Sequence, residues 1–152
     1  MRNITYIIGI IAVLSGIGLS ACKSKKMASN SEVAKTIDSF VDKKWKLLDI
    51  SGVELSSTNR QLVDETFIMF SAAENRVNGN NGCNNFSGTY KSGQSGSLLL
   101  SGMASTRRMC IDMTVENQMN RILGDVDSYS ISNNILSLKQ AGKTLARFVL
   151  SD

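Results

Sequence analysis

The hydrophobic pattern changes twice along the chain. An apolar run occupies residues 4–19, a polar segment follows at residues 23–30, and from Trp45 onward short apolar runs alternate with clusters of turn residues. Short runs separated by turns are typical of β-strands. The pattern therefore predicts a leader, a linker and one folded body that begins near residue 44.

Most of the short runs in the folded body predict strands, and one segment predicts a helix. The helix spans Thr114 to Leu123, and Gly124 follows at a position that suits a left-handed C-cap. We expect turns at residues 78–82 and at Asn133-Asn134. The strand runs are residues 45–50, 66–70, 75–77, 86–90, 97–101, 129–131, 135–138 and 144–150.

This order of elements indicates the fold class. One helix among about eight short strands disagrees with a parallel βαβ arrangement, which needs a crossover helix between successive strands. No segment repeats with a period of 20–50 residues, so a solenoid is excluded. The sequence predicts a mainly β (α+β) fold, a single small antiparallel domain whose sheet curls onto one packed helix.

Residues 1–21 are predicted to be a signal peptide. The apolar run of about 16 residues is shorter than the roughly 20 residues that span a bilayer, and it ends at Leu19-Ser20-Ala21-Cys22. This ending resembles the bacterial lipobox, in which the cysteine is acylated and then becomes the first residue. The resemblance implies lipidation of Cys22 and anchoring to a membrane by two or three acyl chains. The alternative is an uncleaved membrane helix with an incidental cysteine.

Residues 22–43 are predicted to be a lipid-anchored tether that contains a short helix. Ser29 and Glu32 have the spacing of a capping box, which predicts a helix from about Asn30 to Asp42. We expect its apolar stripe to pack on the domain, and contact with a partner or the membrane surface is the alternative. The stripe consists of Val33, Ile37, Phe40 and Val41.

Lys23 bears on the location of the protein. In the simplest bacterial sorting rule, an aspartate after the lipidated cysteine retains a lipoprotein in the inner membrane, and this chain has a lysine there. We therefore expect a lipid-anchored protein of the cell envelope, at the outer membrane.

Composition excludes several kinds of chemistry. The chain has 152 residues and no histidine, so Ser-His-Asp, Cys-His and His-ligated zinc sites are excluded. The net charge of +4 is modest and the aromatic residues are scattered, so no nucleic-acid partner is expected. Phosphate-binding loops and nucleophile elbows are absent from the sequence. We expect no enzyme activity, no cofactor and no metal.

Two cysteines, Cys83 and Cys110, remain once Cys22 is lipidated. Export places both in an oxidising compartment, where an even number of cysteines favours a disulfide. Two free thiols are the alternative, and a metal site made of two cysteines is less favoured. Catalytic thiol chemistry is disfavoured because the sequence has no imidazole and no Cys-x-x-Cys motif.

Two blocks around these cysteines resemble a known family. The segment Gly82-Cys83-Asn84-Asn85-Phe86-Ser87-Gly88-Thr89-Tyr90 precedes Thr106-Arg107-Arg108-Met109-Cys110. Together they resemble the signature blocks of the META domain, the family that includes the HslJ heat-shock proteins, and the resemblance extends over residues 44–152. It implies an antiparallel, conical barrel-like β-domain with a helix across one opening. It also implies no established enzyme activity and an association with stress response and the cell envelope.

Asn84, Asn85 and Arg107 are the candidate recognition residues. Asparagine amides hold loops by bonding the backbone, or they present hydrogen-bonding groups to a ligand, and calcium ligation is a further alternative. Arg107, with Arg108 beside it, suits bidentate binding of a carboxylate or phosphate, although exposed arginines are commonly only solvated.

We expect a non-enzymatic, membrane-anchored lipoprotein with a stress-related structural or binding role that contacts another envelope protein. One alternative is a carrier of a small apolar or lipid-like ligand. The other is a small anchored inhibitor of a hydrolase such as lysozyme.

Overall fold

The computed structural model describes residues 40–54, 56 and 59–151. Over these residues the chain forms one antiparallel sheet of eight strands with two helices, which confirms the mainly β fold with a packed helix. The elements are β1 (Lys44–Ile50), α1 (Arg60–Glu65), β2 (Phe67–Ser71), β3 (Arg76–Asn80), β4 (Asn85–Ser92), a 3-10 turn (Gln94–Gly96), β5 (Leu98–Ser105), α2 (Thr114–Asp125), β6 (Ser128–Ser132), β7 (Ile135–Gln140) and β8 (Lys143–Ser151).

The predicted signal peptide, the predicted lipidation site Cys22 and most of the predicted tether lie outside the described residues. Two members of the tether's apolar stripe are described. Phe40 is fully buried and Val41 packs against the core. No helix of the described part of the chain is long and apolar enough to cross a membrane.

The sheet is curled, and its two edge strands meet at one end. Its strand order is β5-β4-β3-β2-β1-β8-β7-β6, so β5 and β6 are the edges. The Leu98 N–H donates to the Asp127 carbonyl at 2.9 Å, and Ser97 pairs with Ser128. Helix α2 also contacts β5. The result is a half-barrel whose edges are bridged next to the start of β5.

Strand β5 is irregular. Ser87 of β4 pairs with Ala104, whereas Thr89 pairs with Ser101. Two steps along β4 therefore correspond to three steps along β5, which is a β-bulge. Gly102 lies in the bulge with φ +60°, a conformation that glycine adopts without strain.

The interior of the half-barrel is filled by aromatic and aliphatic side chains. The Phe40 ring packs against the rings of Phe70, Tyr90 and Tyr129, with centroid distances of 4.9, 5.9 and 4.6 Å. The Trp45 indole N–H donates to the Phe40 carbonyl at 2.9 Å. These contacts join the segment before β1 to both halves of the sheet. Helix α2 adds the apolar residues of its buried face, Val115, Met119, Ile122 and Leu123.

The expectation of a turn at residues 78–82 is wrong for residues 78–80, which lie in β3. Asn78 pairs with Met69 and Gly79 pairs with Ile68. A Cβ on Gly79 would overlap a main-chain oxygen of β2 and come within 2.6 Å of the Phe86 ring. Glycine at position 79 is therefore needed for close packing of that ring on the strand. The turn itself begins after Asn80.

The expectation of a left-handed cap at Gly124 is also wrong. Helix α2 continues to Asp125 and ends at Val126, whose backbone is extended. Val126 is buried. Its packing in the core fixes the direction in which the chain continues into β6, so the helix end needs no glycine cap. The predicted turn at Asn133-Asn134 is confirmed, with φ of 51° and 59°, as a tight hairpin between antiparallel strands requires.

Candidate functional site

Residues 106–113, which we call the tip loop, connect β5 to α2. At the start of the loop the Thr106 N–H donates to the Asn85 carbonyl at 3.0 Å. At its end the Asp112 carboxylate accepts from the Thr114 N–H at 2.8 Å, and this bond lowers the pKa of Asp112. Both ends of the loop are therefore attached to regular structure.

A disulfide fixes the middle of the tip loop. Cys110 is bonded to Cys83, and the two Cα atoms are 6.0 Å apart. Cys83 lies in the turn between β3 and β4, so the bond joins the loop to the adjacent end of the sheet. The predicted pairing of these two cysteines is present in the structure.

Asn84 holds the same two segments together through its side chain. Its Oδ1 accepts from the Arg108 N–H at 2.6 Å and from the Thr106 hydroxyl at 2.8 Å. Its Nδ2 donates to the Arg108 carbonyl at 2.8 Å and to Glu116 Oε1 at 3.1 Å. An asparagine amide has two donor hydrogens and two acceptor lone pairs. Asn84, only 2% exposed, therefore has no group left for a ligand, which favours a loop-holding role.

Asn81 supports this arrangement from the turn. Its Oδ1 accepts from the backbone N–H groups of Asn84 at 2.7 Å and Cys83 at 3.3 Å, and its Nδ2 donates to Asn120 Oδ1 at 3.0 Å. Asn81 was predicted to lie in a turn, with no role beyond it. The preference of asparagine for bonding the backbone two residues ahead was the available signal.

The other two candidates lie at the surface. Asn85 is exposed, and its Oδ1 accepts from Asn80 Nδ2 at 3.0 Å. Arg107 is exposed and makes no side-chain hydrogen bond or ion pair with any described residue. Arg108 differs from it, because its guanidinium donates to the Cys83 carbonyl at 2.8 Å.

Glu116 also belongs to the site, although it was not among the predicted site residues. It lies in the first turn of α2 and is 7% exposed. Its Oε1 accepts from Asn84, whereas its buried Oε2 has no partner among the described residues. Glu116 lies three residues before Met119 and seven before Leu123, so its helical position beside the apolar stripe was the available signal.

A cavity of about 230 Å³ opens under the tip loop. Asn84 and Glu116 form its base, and Arg107, Arg108, Met109 and Met113 are among the loop residues around it. The described residues contain no group of three or more aspartate, glutamate or cysteine side chains able to hold a metal ion. The site combines a buried polar network with an exposed basic and apolar loop.

The chain also matches a model of a known protein family. A family model described as META domain matches residues 38–152. The chain belongs to the META domain family. In this META domain the two signature blocks are the segments that the disulfide and Asn84 join.

Solved structures show the same fold as this META domain. An NMR structure of a protein from Burkholderia xenovorans has 18% identity and a TM-score of 0.59, covering 74% of this chain and 83% of that one. A second NMR structure has 25% identity and a TM-score of 0.57, covering 75% and 94%. A crystal structure of a DUF4847 family protein from Bacteroides vulgatus has 16% identity and a TM-score of 0.52, covering 74% and 94%. A comparison with curated proteins gives no match.

Proposed function

We propose that the protein is a lipid-anchored lipoprotein of the bacterial cell envelope. Its META domain would be a rigid, non-enzymatic binding module with a stress-related role. The observation that carries the proposal is the disulfide between Cys83 and Cys110. Disulfides form in exported proteins and are rare in the cytosol. Pairing these two leaves Cys22, which ends the lipobox-like segment, as the cysteine available for acylation.

The packing of the interior supports a binding module more than a carrier. Four aromatic rings, of Phe40, Phe70, Tyr90 and Tyr129, occupy the inside of the half-barrel. A carrier of an apolar ligand encloses most of that ligand in an internal cavity. The cavity under the tip loop is at the surface instead, where it is open to other components of the envelope, the membrane included.

Intact mass spectrometry of the chain purified from membranes tests the anchoring. We expect a mass that corresponds to loss of residues 1–21 and addition of acyl chains at Cys22. Alkylation without prior reduction is expected to label neither Cys83 nor Cys110. The Cys22→Ala variant should lose the acyl chains while keeping the disulfide.

The matched control for location is Lys23→Asp, which keeps the acylated cysteine and changes only the sorting residue. We expect this variant to move from the outer to the inner membrane in a density gradient. A wild-type chain that is unprocessed, lacks acyl groups and is alkylated at Cys83 and Cys110 as well as at Cys22 would contradict the proposal.

A further inference from the structure

The tip loop exposes two apolar side chains completely. Met109 is 91% exposed and Ile111 is 107% exposed, compared with 57% for Leu99 on β5. Cys110, between them, is turned inward to its disulfide. The two apolar side chains on either side of Cys110 therefore face solvent and make little contact with the domain.

The attachment of the loop makes this exposure a fixed feature. The disulfide holds Cys110, and Asn84 binds both the N–H and the carbonyl of Arg108, so the residues on either side of Met109 are held. A surface presented in this way loses little conformational entropy when it binds.

The charges around the two apolar side chains are basic. Arg107 and Arg108 are exposed, and Arg107 has no ionic partner among the residues that the structure describes. The acidic groups nearby are Glu116, which is buried, and Asp112, whose partly exposed carboxylate accepts from the Thr114 N–H, so the two arginines outnumber the one acidic group at the surface of the loop. Apolar groups flanked by basic ones match the boundary between acyl chains and anionic headgroups.

The small size of the apolar tip favours a bilayer over a protein partner. A stable protein interface buries at least about 1,000 Å², which two side chains do not supply. A bilayer accepts a narrow apolar wedge without a matching surface. We propose that the tip loop inserts Met109 and Ile111 into an anionic phospholipid bilayer, with the exposed Arg107 at the phosphates. The inference extends the proposed function, because the acyl anchor brings the domain close to such a bilayer.

The length of the tether allows the anchor and the tip loop to contact the same membrane. Phe40, where the described chain begins, packs on Tyr90. Tyr90 lies about 17 Å along β4 from Asn85, at ~3.4 Å per residue, and Asn85 adjoins the tip loop. The 18 residues from Cys22 to Phe40 span at most about 60 Å. A tether of this length that ends at Phe40 therefore permits the tip loop to insert into the membrane that holds the proposed anchor.

Fluorescence quenching of the full chain tests this placement. The Ile111→Trp variant is reconstituted into vesicles of phosphatidylcholine and phosphatidylglycerol that contain brominated lipid, which quenches tryptophans at acyl-chain depth. Leu99→Trp is the matched control, since Leu99 is an exposed apolar residue at the end of β5 away from the tip loop. The signal of the buried Trp45 is measured in the parent chain and subtracted.

We expect at least about threefold stronger quenching for Ile111→Trp than for Leu99→Trp, and weaker quenching when phosphatidylglycerol is omitted. Met109→Trp gives a second measurement of the tip should Ile111→Trp fail to fold. Equal quenching at the two ends overturns the proposal. So does a blue shift that depends on protein concentration without quenching, because it assigns the tip to a protein contact. The intact mass of the same preparation reports acylation separately, so failure of the anchor and failure of the tip are distinguishable.

Discussion

Replacing Asn84 with alanine removes the four hydrogen bonds that join the turn between β3 and β4 to the tip loop and α2. A net contribution of about 1 kcal/mol for each bond gives roughly 4 kcal/mol. Thr106 and Arg108 are exposed residues whose freed groups gain water in part, which reduces the loss. Glu116 is buried and is left with both carboxylate oxygens unpartnered. We therefore expect Asn84→Ala to lower the free energy of unfolding by about 3 kcal/mol.

Asn85→Ala is the matched control, since it changes the same residue type one position along the chain. Asn85 is exposed and its side chain accepts one hydrogen bond, from Asn80. Exposed substitutions of this kind cost about 0.5 kcal/mol or less. The two variants should therefore differ by more than about 2 kcal/mol.

Equilibrium urea unfolding followed by the fluorescence of Trp45 measures both changes. This tryptophan is the only one in the chain and is 1% exposed in the folded state, so its emission reports loss of the core. We expect the Asn84→Ala midpoint to fall with little change in the slope against urea, and the thermal midpoint to fall by roughly 10 °C. If Asn84→Ala and Asn85→Ala unfold within about 0.5 kcal/mol of each other, the network is not holding the loop.

Two further predictions concern packing and pH. Gly79→Ala places a Cβ against a main-chain oxygen of the neighbouring strand. We therefore expect the free energy of unfolding, measured by thermal unfolding, to fall by at least about 3 kcal/mol. Gly124 lies in an open part of α2, so Gly124→Ala should raise the free energy of unfolding by about 0.5–1 kcal/mol. Equal changes in the two glycine variants would contradict the steric argument. Hydrogen bonds from the Ser128 hydroxyl and the Ala141 N–H hold the pKa of Asp127 below its ordinary value. Their stabilisation is present above that value and lost as the pH falls through the lowered pKa, so thermal midpoints below about pH 4 should fall more for the parent than for Asp127→Asn.

The strands with alternating apolar residues were predictable from the sequence. Strand β3 was not, because its local composition is that of a turn. Phe86 and Tyr90 alternate along β4 and both are buried, as the pattern predicts. Asn78-Gly79-Asn80 has the composition of a turn, yet it pairs with strands on both sides. Pairing and the packing of a ring against Gly79 outweigh local preference, because strand formation depends strongly on tertiary context.

Helix α1 was not predicted because its segment is too short to show periodicity. Its six residues bury one side chain, Val63. The Thr66 hydroxyl donates to the Leu62 carbonyl at 2.7 Å and ends the helix where β2 begins. Such a helix is determined by what it packs against, and this information is absent from a six-residue window.

The candidate site was predictable in part. The predicted export and the even number of cysteines that remain after Cys22 led to the disulfide. The role of Asn84 depends on partners 22, 24 and 32 residues away, and no local pattern reports these. Arg107 and Arg108 are neighbours of the same residue type, so the sequence does not distinguish them. The path of the backbone decides that Arg108 donates to Cys83 while Arg107 faces solvent.

The bulge at Gly102 affects how neighbouring copies of the domain meet. A straight, unpaired sheet edge is a template to which another chain can add a strand. The bulge bends β5 and breaks the regular spacing of its outward N–H and carbonyl groups, and the opposite edge, β6, is only five residues long. The membrane anchoring that we propose would confine these domains to a surface, where side-by-side contacts between copies are frequent. The irregular edge hinders one domain from adding a strand to the sheet of its neighbour, and this limits aggregation.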